Sequence, residues 1–154
     1  MAYPTNPFEE VIEKVSKHGW TAVSVFHGHN TPAFTYSVGF TETFGGPEIV
    51  ILGIPVETAR SLISGIAQQM KSKELRFPKS DTTMSGVIQD YEVSIRHIPE
   101  EQVSEIAKYA HAYAFPDTIQ LLQVVLPDPS GKLPGNPACD PAYVTLQDVT
   151  SLYQ

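Results

Sequence analysis

Cys139 is the only cysteine in the chain, so no internal disulfide can form and no thiolate cluster can hold a metal. Long hydrophobic runs are missing too. The longest, residues 49–56, falls far short of the roughly 20 apolar residues that span a bilayer. The opening Met1-Ala2-Tyr3-Pro4 has neither the basic nor the apolar stretch of a secretory signal. These absences make a reduced, cytoplasmic protein without membrane contact the expectation. Cations are scarce: ten Lys and Arg face seventeen Asp and Glu, for a net charge of −7. That disfavours nucleic acid, whose binding rests on Lys and Arg at phosphates. It leaves two readings, a merely soluble surface or one that attracts a basic protein partner. No phosphate-binding glycine loop, Gly-x-Ser-x-Gly elbow, dinucleotide fingerprint or metalloprotease helix motif is present. Gly45-Gly46 precedes a strand, the wrong context for a phosphate cradle.

What is present is an ordinary globular composition, 42% apolar and 18% charged over 154 residues, which suits one core rather than disorder. We expect a single domain over 1–154, with a core over 1–143 and a short final element or tail over 144–154. Asn6 can cap a first helix, with Pro7 at its first position and Glu9 three residues after the cap. Phe8, Val11, Ile12 and Val15 share one face of it, and Gly19 is its stop. Residues 20–26 and 33–39 read as a hairpin, with Phe34, Tyr36 and Val38 on one face and Thr35 and Ser37 on the other. Residues 40–47 read as a loop. Residues 49–54 lack polar alternation and predict a central strand. A second helix is predicted from Pro55 to near Lys73, and 76–86 reads as loop with a short edge strand. A strand over 91–98, a third helix from Pro99 to before Pro116 and a last strand over 118–126 complete the pattern. The stretch 134–141, with its prolines, is expected to be irregular. The order predicts an α+β fold: a single mixed, mostly antiparallel sheet with about three helices, a half-open barrel being the main variant.

Gly19-Trp20, Phe34-Thr35-Tyr36-Ser37-Val38-Gly39-Phe40, Pro47-Glu48-Ile49-Val50 and Gly53-Ile54-Pro55 form a recognisable series, followed by Leu122-Gln123-Val124-Val125-Leu126-Pro127-Asp128 with Gly131 and Pro134. In these blocks, which run in order over most of its length, the chain resembles a bacterial family catalogued as domain of unknown function 4262. It departs from the family pattern at Leu126, where a Trp is common, and at Gly135, where an aromatic often stands. The family carries no established activity, so the resemblance implies architecture more than function.

Within these blocks the polar candidates are Tyr36, Glu48, Gln123 and Asp128. Either strand ends converge on a small polar pocket, or each group is satisfied within the fold, with Tyr36 and Gln123 bonded to backbone and Glu48 capping a turn. Phe40 and Phe44, beside Glu42, form an aromatic loop that is either an exposed contact patch or folded onto the core. His27 and His29 have a spacing compatible with a metal, although a solvated turn explains them as well. Cys139 lacks a helix N-terminus behind it to activate a thiolate. The expected function is a non-enzymatic binding module, monomer or homodimer, that recognises a protein partner; an immunity-type protein neutralising a toxin is one form. The alternative is a flavin- or small-ligand-binding enzyme of split-barrel type, with FMN as cofactor.

Overall fold

The computed structural model describes residues 6–26 and 33–152; His27 and His29 lie outside them. Helix α1 (Pro7–His18) begins where the sequence signals it. The Asn6 side-chain oxygen accepts the Phe8 N–H at 2.9 Å, and Gly19, at φ +86°, closes the helix by donating to the Val15 carbonyl. Strands β1 (Thr21–Val25) and β2 (Phe34–Val38) then pair antiparallel. After them come α2 (Phe40–Phe44), β3 (Glu48–Leu52), α3 (Val56–Lys71) and β4 (Thr82–Met84). The chain continues through β5 (Val93–His97), α4 (Glu100–Ile106), α5 (Lys108–Ala114), β6 (Leu121–Val125), α6 (Pro141–Leu146) and a final 3-10 turn, Val149–Leu152.

The strands form one six-stranded sheet in the order β1-β2-β3-β6-β5-β4. Every pair is antiparallel except β3 with β6. The α+β class therefore holds. The sheet is open, with β1 and β4 at its edges, rather than the barrel variant. The last strand in sequence, β6, lies between β3 and β5, which explains why 121–125 is buried throughout.

Alternation along the strands divides the interior into two cores. Phe34, Tyr36, Val38, Val50, Leu52 and Leu121 face Val11 and Val15 of α1 and the buried sides of α4 and α5. On the opposite face Ile49, Ile51, Leu122, Val124, Val93 and Ile95 meet Ala59, Ile63, Ile66 and Ala67 of α3, together with Phe40.

The described residues contain six α-helices rather than about three. The helix expected from Pro99 breaks at Ala107, whose φ −106° and ψ 61° are not helical, giving α4 and α5. Residues 40–44 make one helical turn where a loop was expected. In α6, Asp140 caps and Pro141 occupies the first turn, the same arrangement as Asn6-Pro7, within a stretch whose prolines suggest irregular backbone. The segment after residue 143 is packed up to Leu152: Gln147 is buried, and Val149 joins the first core. Tyr91 stands outside β5 and is exposed, because the strand starts only at Val93.

Candidate functional site

Glu48 opens β3 with only 1% of its surface exposed. Its Oε1 accepts the Ser37 hydroxyl at 2.7 Å and the Phe40 N–H at 3.1 Å, while Oε2 accepts the Thr41 N–H at 2.9 Å. Ser37 Oγ in turn accepts the Ile49 N–H at 2.9 Å. Burial pushes the Glu48 carboxyl up to about 7, with the Glu42 charge adding to the shift and the three donors opposing it. The carboxylate thus supplies the acceptors that the first amides of a helix lack. It fixes the one-turn helix α2, and it is closed to solvent.

Tyr36, Gln123 and Asp128 are committed in the same way. The Tyr36 hydroxyl accepts the Tyr109 N–H at 3.0 Å, just past the Ala107 break, and burial drives its pKa up to about 12. Gln123 Nε2 donates to the Gln147 carbonyl at 2.7 Å, while its Oε1 has no partner among the described residues. Gln147 pairs with the backbone of Leu126, accepting its N–H at 2.7 Å and donating to its carbonyl at 2.9 Å. Asp128 Oδ1 accepts the Ser130 N–H, the Ser130 hydroxyl and the Lys132 N–H, and Oδ2 accepts the Asp140 N–H. The Lys132 and Asp140 amides lead in holding its carboxyl down at about 2. Tyr36 and Gln123 each register opposite Val50, so they lie in one row across the sheet with β3 between them. No hydrogen bond among the described residues joins any two of Tyr36, Glu48, Gln123 and Asp128.

The two phenylalanines separate. Phe40 is fully buried, edge-on to Trp20 at 5.6 Å and to Phe44 at 5.5 Å. Phe44 is only half-buried and Glu42 is exposed. Phe44, Met70 and Lys73 line both of two adjoining clefts. One, of about 620 Å³, has an apolar floor that includes Leu75 and Phe77 and carries Lys73, Arg76 and Lys79. The other, of about 520 Å³, is bounded by His18, Trp20, Lys71 and Lys73. Among the described residues no Asp or Glu lines either one.

The groove formed by these clefts is the feature that the sequence reading missed. Its signal is the run Lys71-Ser72-Lys73-Glu74-Leu75-Arg76-Phe77-Pro78-Lys79, which holds four of the ten cations of an acidic chain. None of those four is in a salt bridge among the described residues. Lys73 sits at φ +63°, where the chain leaves α3, and its N–H is held by the Met70 carbonyl at 3.2 Å. That left-handed conformation costs a non-glycine residue about 1 kcal/mol.

Other chemistries find less to work with. Among the described residues no group of three or more His, Cys, Asp or Glu is placed to hold a metal. Cys139 directly precedes the Asp140 cap of α6, a helix start the sequence did not lead us to expect, yet it is buried, and desolvation with the charges of Asp128 and Asp140 pushes its thiol pKa up, away from the reactive thiolate. No described helix is long and apolar enough to cross a membrane.

No curated protein and no solved structure matches the chain. A family profile, that of a domain of unknown function, DUF4262, matches residues 14–140, a span that includes Glu48 and the whole basic run, and the chain belongs to that family.

Proposed function

We propose that this protein is a non-catalytic, cytoplasmic bacterial binding module that recognises a protein partner through the groove on either side of Phe44 and Met70. The observation that carries the reading is the groove's form: two adjoining clefts that share the half-buried Phe44 and Met70 beside the exposed Lys73. Surfaces that keep apolar side chains accessible beside charged rims suit protein contacts. Further support comes from how the buried polar groups are used. Glu48 and Asp128 spend their oxygens on the chain's own amides and hydroxyls, which favours scaffold over catalysis. An immunity-type protein that neutralises a toxin is one concrete form of such a module.

The test is capture from the native host, identification of the partner and reconstitution from purified components. Phe44→Ala with Met70→Ala is expected to weaken the reconstituted complex at least tenfold, as for residues central to an interface. Glu101→Ala, on α4 across the sheet, is expected to leave it unchanged. A partner indifferent to the Phe44 and Met70 substitutions, or failure to reconstitute any complex, would overturn the reading.

A flavin-binding enzyme is the second reading, favoured by one observation. The larger cleft has the volume of a cofactor site and places Phe44 and Phe77 near cations that suit a phosphate. Titration with FMN, followed by flavin fluorescence, decides it: quenching with one-to-one stoichiometry supports the enzyme, and an unchanged signal removes it.

A further inference from the structure

We infer that the occupant of this groove is an acidic, extended segment of the partner, rich in Asp and Glu and carrying an apolar side chain that seats beside Phe44. The inference rests on the protein-binding reading and adds the partner's chemistry. The net charge of −7 would by itself point to a basic partner. The groove has the opposite sign. Lys71, Lys73, Arg76 and Lys79 are exposed on its two lobes, His18 lines one of them, and among the described residues no carboxylate lines either lobe. Glu74, the one acid within the basic run, is exposed and lines neither lobe. Like charges gathered without counter-ions repel one another, and a carboxylate-bearing ligand relieves that repulsion.

Between the cations the floor is apolar. Leu75 is buried, and Met70, Phe44 and Phe77 are half-exposed, so an apolar side chain has a place between flanking carboxylates. The two lobes share Phe44, Met70 and Lys73, so a chain that passes from one to the other meets the cations of both. A long polyanion fits poorly. Its charges would continue past the groove onto the rest of a chain in which the six remaining Lys and Arg face seventeen Asp and Glu. A short acidic segment confines its charges to the basic lobes.

Five probes test this on the full-length protein: a short labelled peptide of Asp, Glu, Leu and Phe; the same peptide with Asn and Gln; FMN; inorganic phosphate; and a short single-stranded RNA. The acidic peptide is expected to bind saturably, to weaken as salt rises and to exceed its amide counterpart at least tenfold. Amide shifts in nuclear magnetic resonance spectra are expected to cluster within 41–47, 67–79 and 118–122. The triple substitution Lys73→Glu, Arg76→Glu, Lys79→Glu is expected to abolish binding. These side chains are exposed, so folding, checked by circular dichroism, is expected to survive, and Glu101→Ala, outside the groove, is expected to bind as wild type. Equal affinity for the amide peptide, tighter binding of RNA, phosphate or FMN, or shifts outside the groove would overturn the inference. If the reconstituted partner still binds the triple variant but not the Phe44 and Met70 variant, protein recognition stands and the acidic segment falls. If it ignores both, the two readings fall together.

Discussion

The Ser37 hydroxyl donates to Glu48 Oε1 at 2.7 Å and accepts the Ile49 N–H at 2.9 Å, so one serine links the buried carboxylate to the backbone of the strand it opens. Through Glu48 the link extends to the Phe40 and Thr41 amides, and Thr41 lies in the wall of the larger cleft. The position of α2, and with it one side of the groove, therefore depends on a group that titrates near neutrality.

Stability is expected to record that titration. Glu48 has a folded pKa of about 7 against an ordinary value of 4.5. Between these values the folded state binds the proton more tightly than the unfolded state. The contribution is thus fully present below pH 4.5 and is lost as pH rises through 7, by roughly 3 kcal/mol in all. Glu48→Gln removes the slope. It also turns an amide NH₂ toward the Thr41 N–H or loses the Ser37 and Phe40 bonds, at a cost of about 1–3 kcal/mol at low pH. Urea unfolding of both proteins from pH 5 to pH 8 checks this: the difference between them is expected to shrink as pH rises, and a constant difference would rule out the titration.

Gly39 sets the same corner from the backbone side. It lies at φ +99°, and a Cβ there would stand 2.7 Å from the Gly19 carbonyl oxygen and 2.9 Å from Val15 Cγ1. Neither neighbour is the free end of a flexible side chain. Gly39→Ala is expected to cost at least about 2 kcal/mol from the left-handed backbone and the clash together. A thermal melt beside wild type measures it, and an unchanged midpoint would show that the corner relaxes freely.

The sequence discloses elements whose causes are local. The cap and stop of α1 lie within it or next to it, and the two faces of β2 follow from simple alternation, with Tyr36 and Ser37 on opposite sides. Features made by distant partners are not legible in this way. Helix α2 depends on a carboxylate from the next strand. The break between α4 and α5 places the Tyr109 amide against the Tyr36 hydroxyl, 73 residues earlier in the chain. Helix α6 carried a readable signature, but the surrounding prolines outweighed it. Tyr36, Glu48, Gln123 and Asp128 stood out as polar groups in apolar strands or at their ends, and each turns out to be bonded within the fold. The groove was hidden for the opposite reason. A net charge averages over the whole chain, and 71–79 is basic only when read as a local run.

Gln147 and Gln123 are expected to respond unequally to substitution. The Gln147 side chain makes two bonds with Leu126 and a third to the Tyr143 carbonyl. Gln147→Ala leaves the buried Leu126 N–H and carbonyl unpaired, at a cost of about 2–4 kcal/mol. Gln123 makes one bond and leaves Oε1 unpartnered, so Gln123→Met removes an unsatisfied oxygen while orphaning only the Gln147 carbonyl, at a cost of about 1–2 kcal/mol. Chemical denaturation ranks the two. A Gln123 variant that suffers more than the Gln147 variant would mean that Oε1 has a partner of consequence.

Asp128 gives a pH dependence of opposite sign to that of Glu48. Its folded pKa, about 2, lies below the ordinary 3.8, because the Lys132 and Asp140 amides and both Ser130 donors favour the carboxylate. The folded state binds this proton less tightly than the unfolded state. The stabilisation is therefore present above pH 3.8 and is lost as pH falls through 2. Asp128→Asn keeps one acceptor oxygen but presents an NH₂ where the other carboxylate oxygen stood, so the Oδ1 amides or the Asp140 N–H must lose a partner. The variant is expected to be less stable than wild type at pH 7, and the gap is expected to narrow as pH falls from 4 to 2. Unfolding followed by circular dichroism over that range tests the sign. A gap that widens toward acid would show that the turn does not draw its stability from the ionised carboxylate.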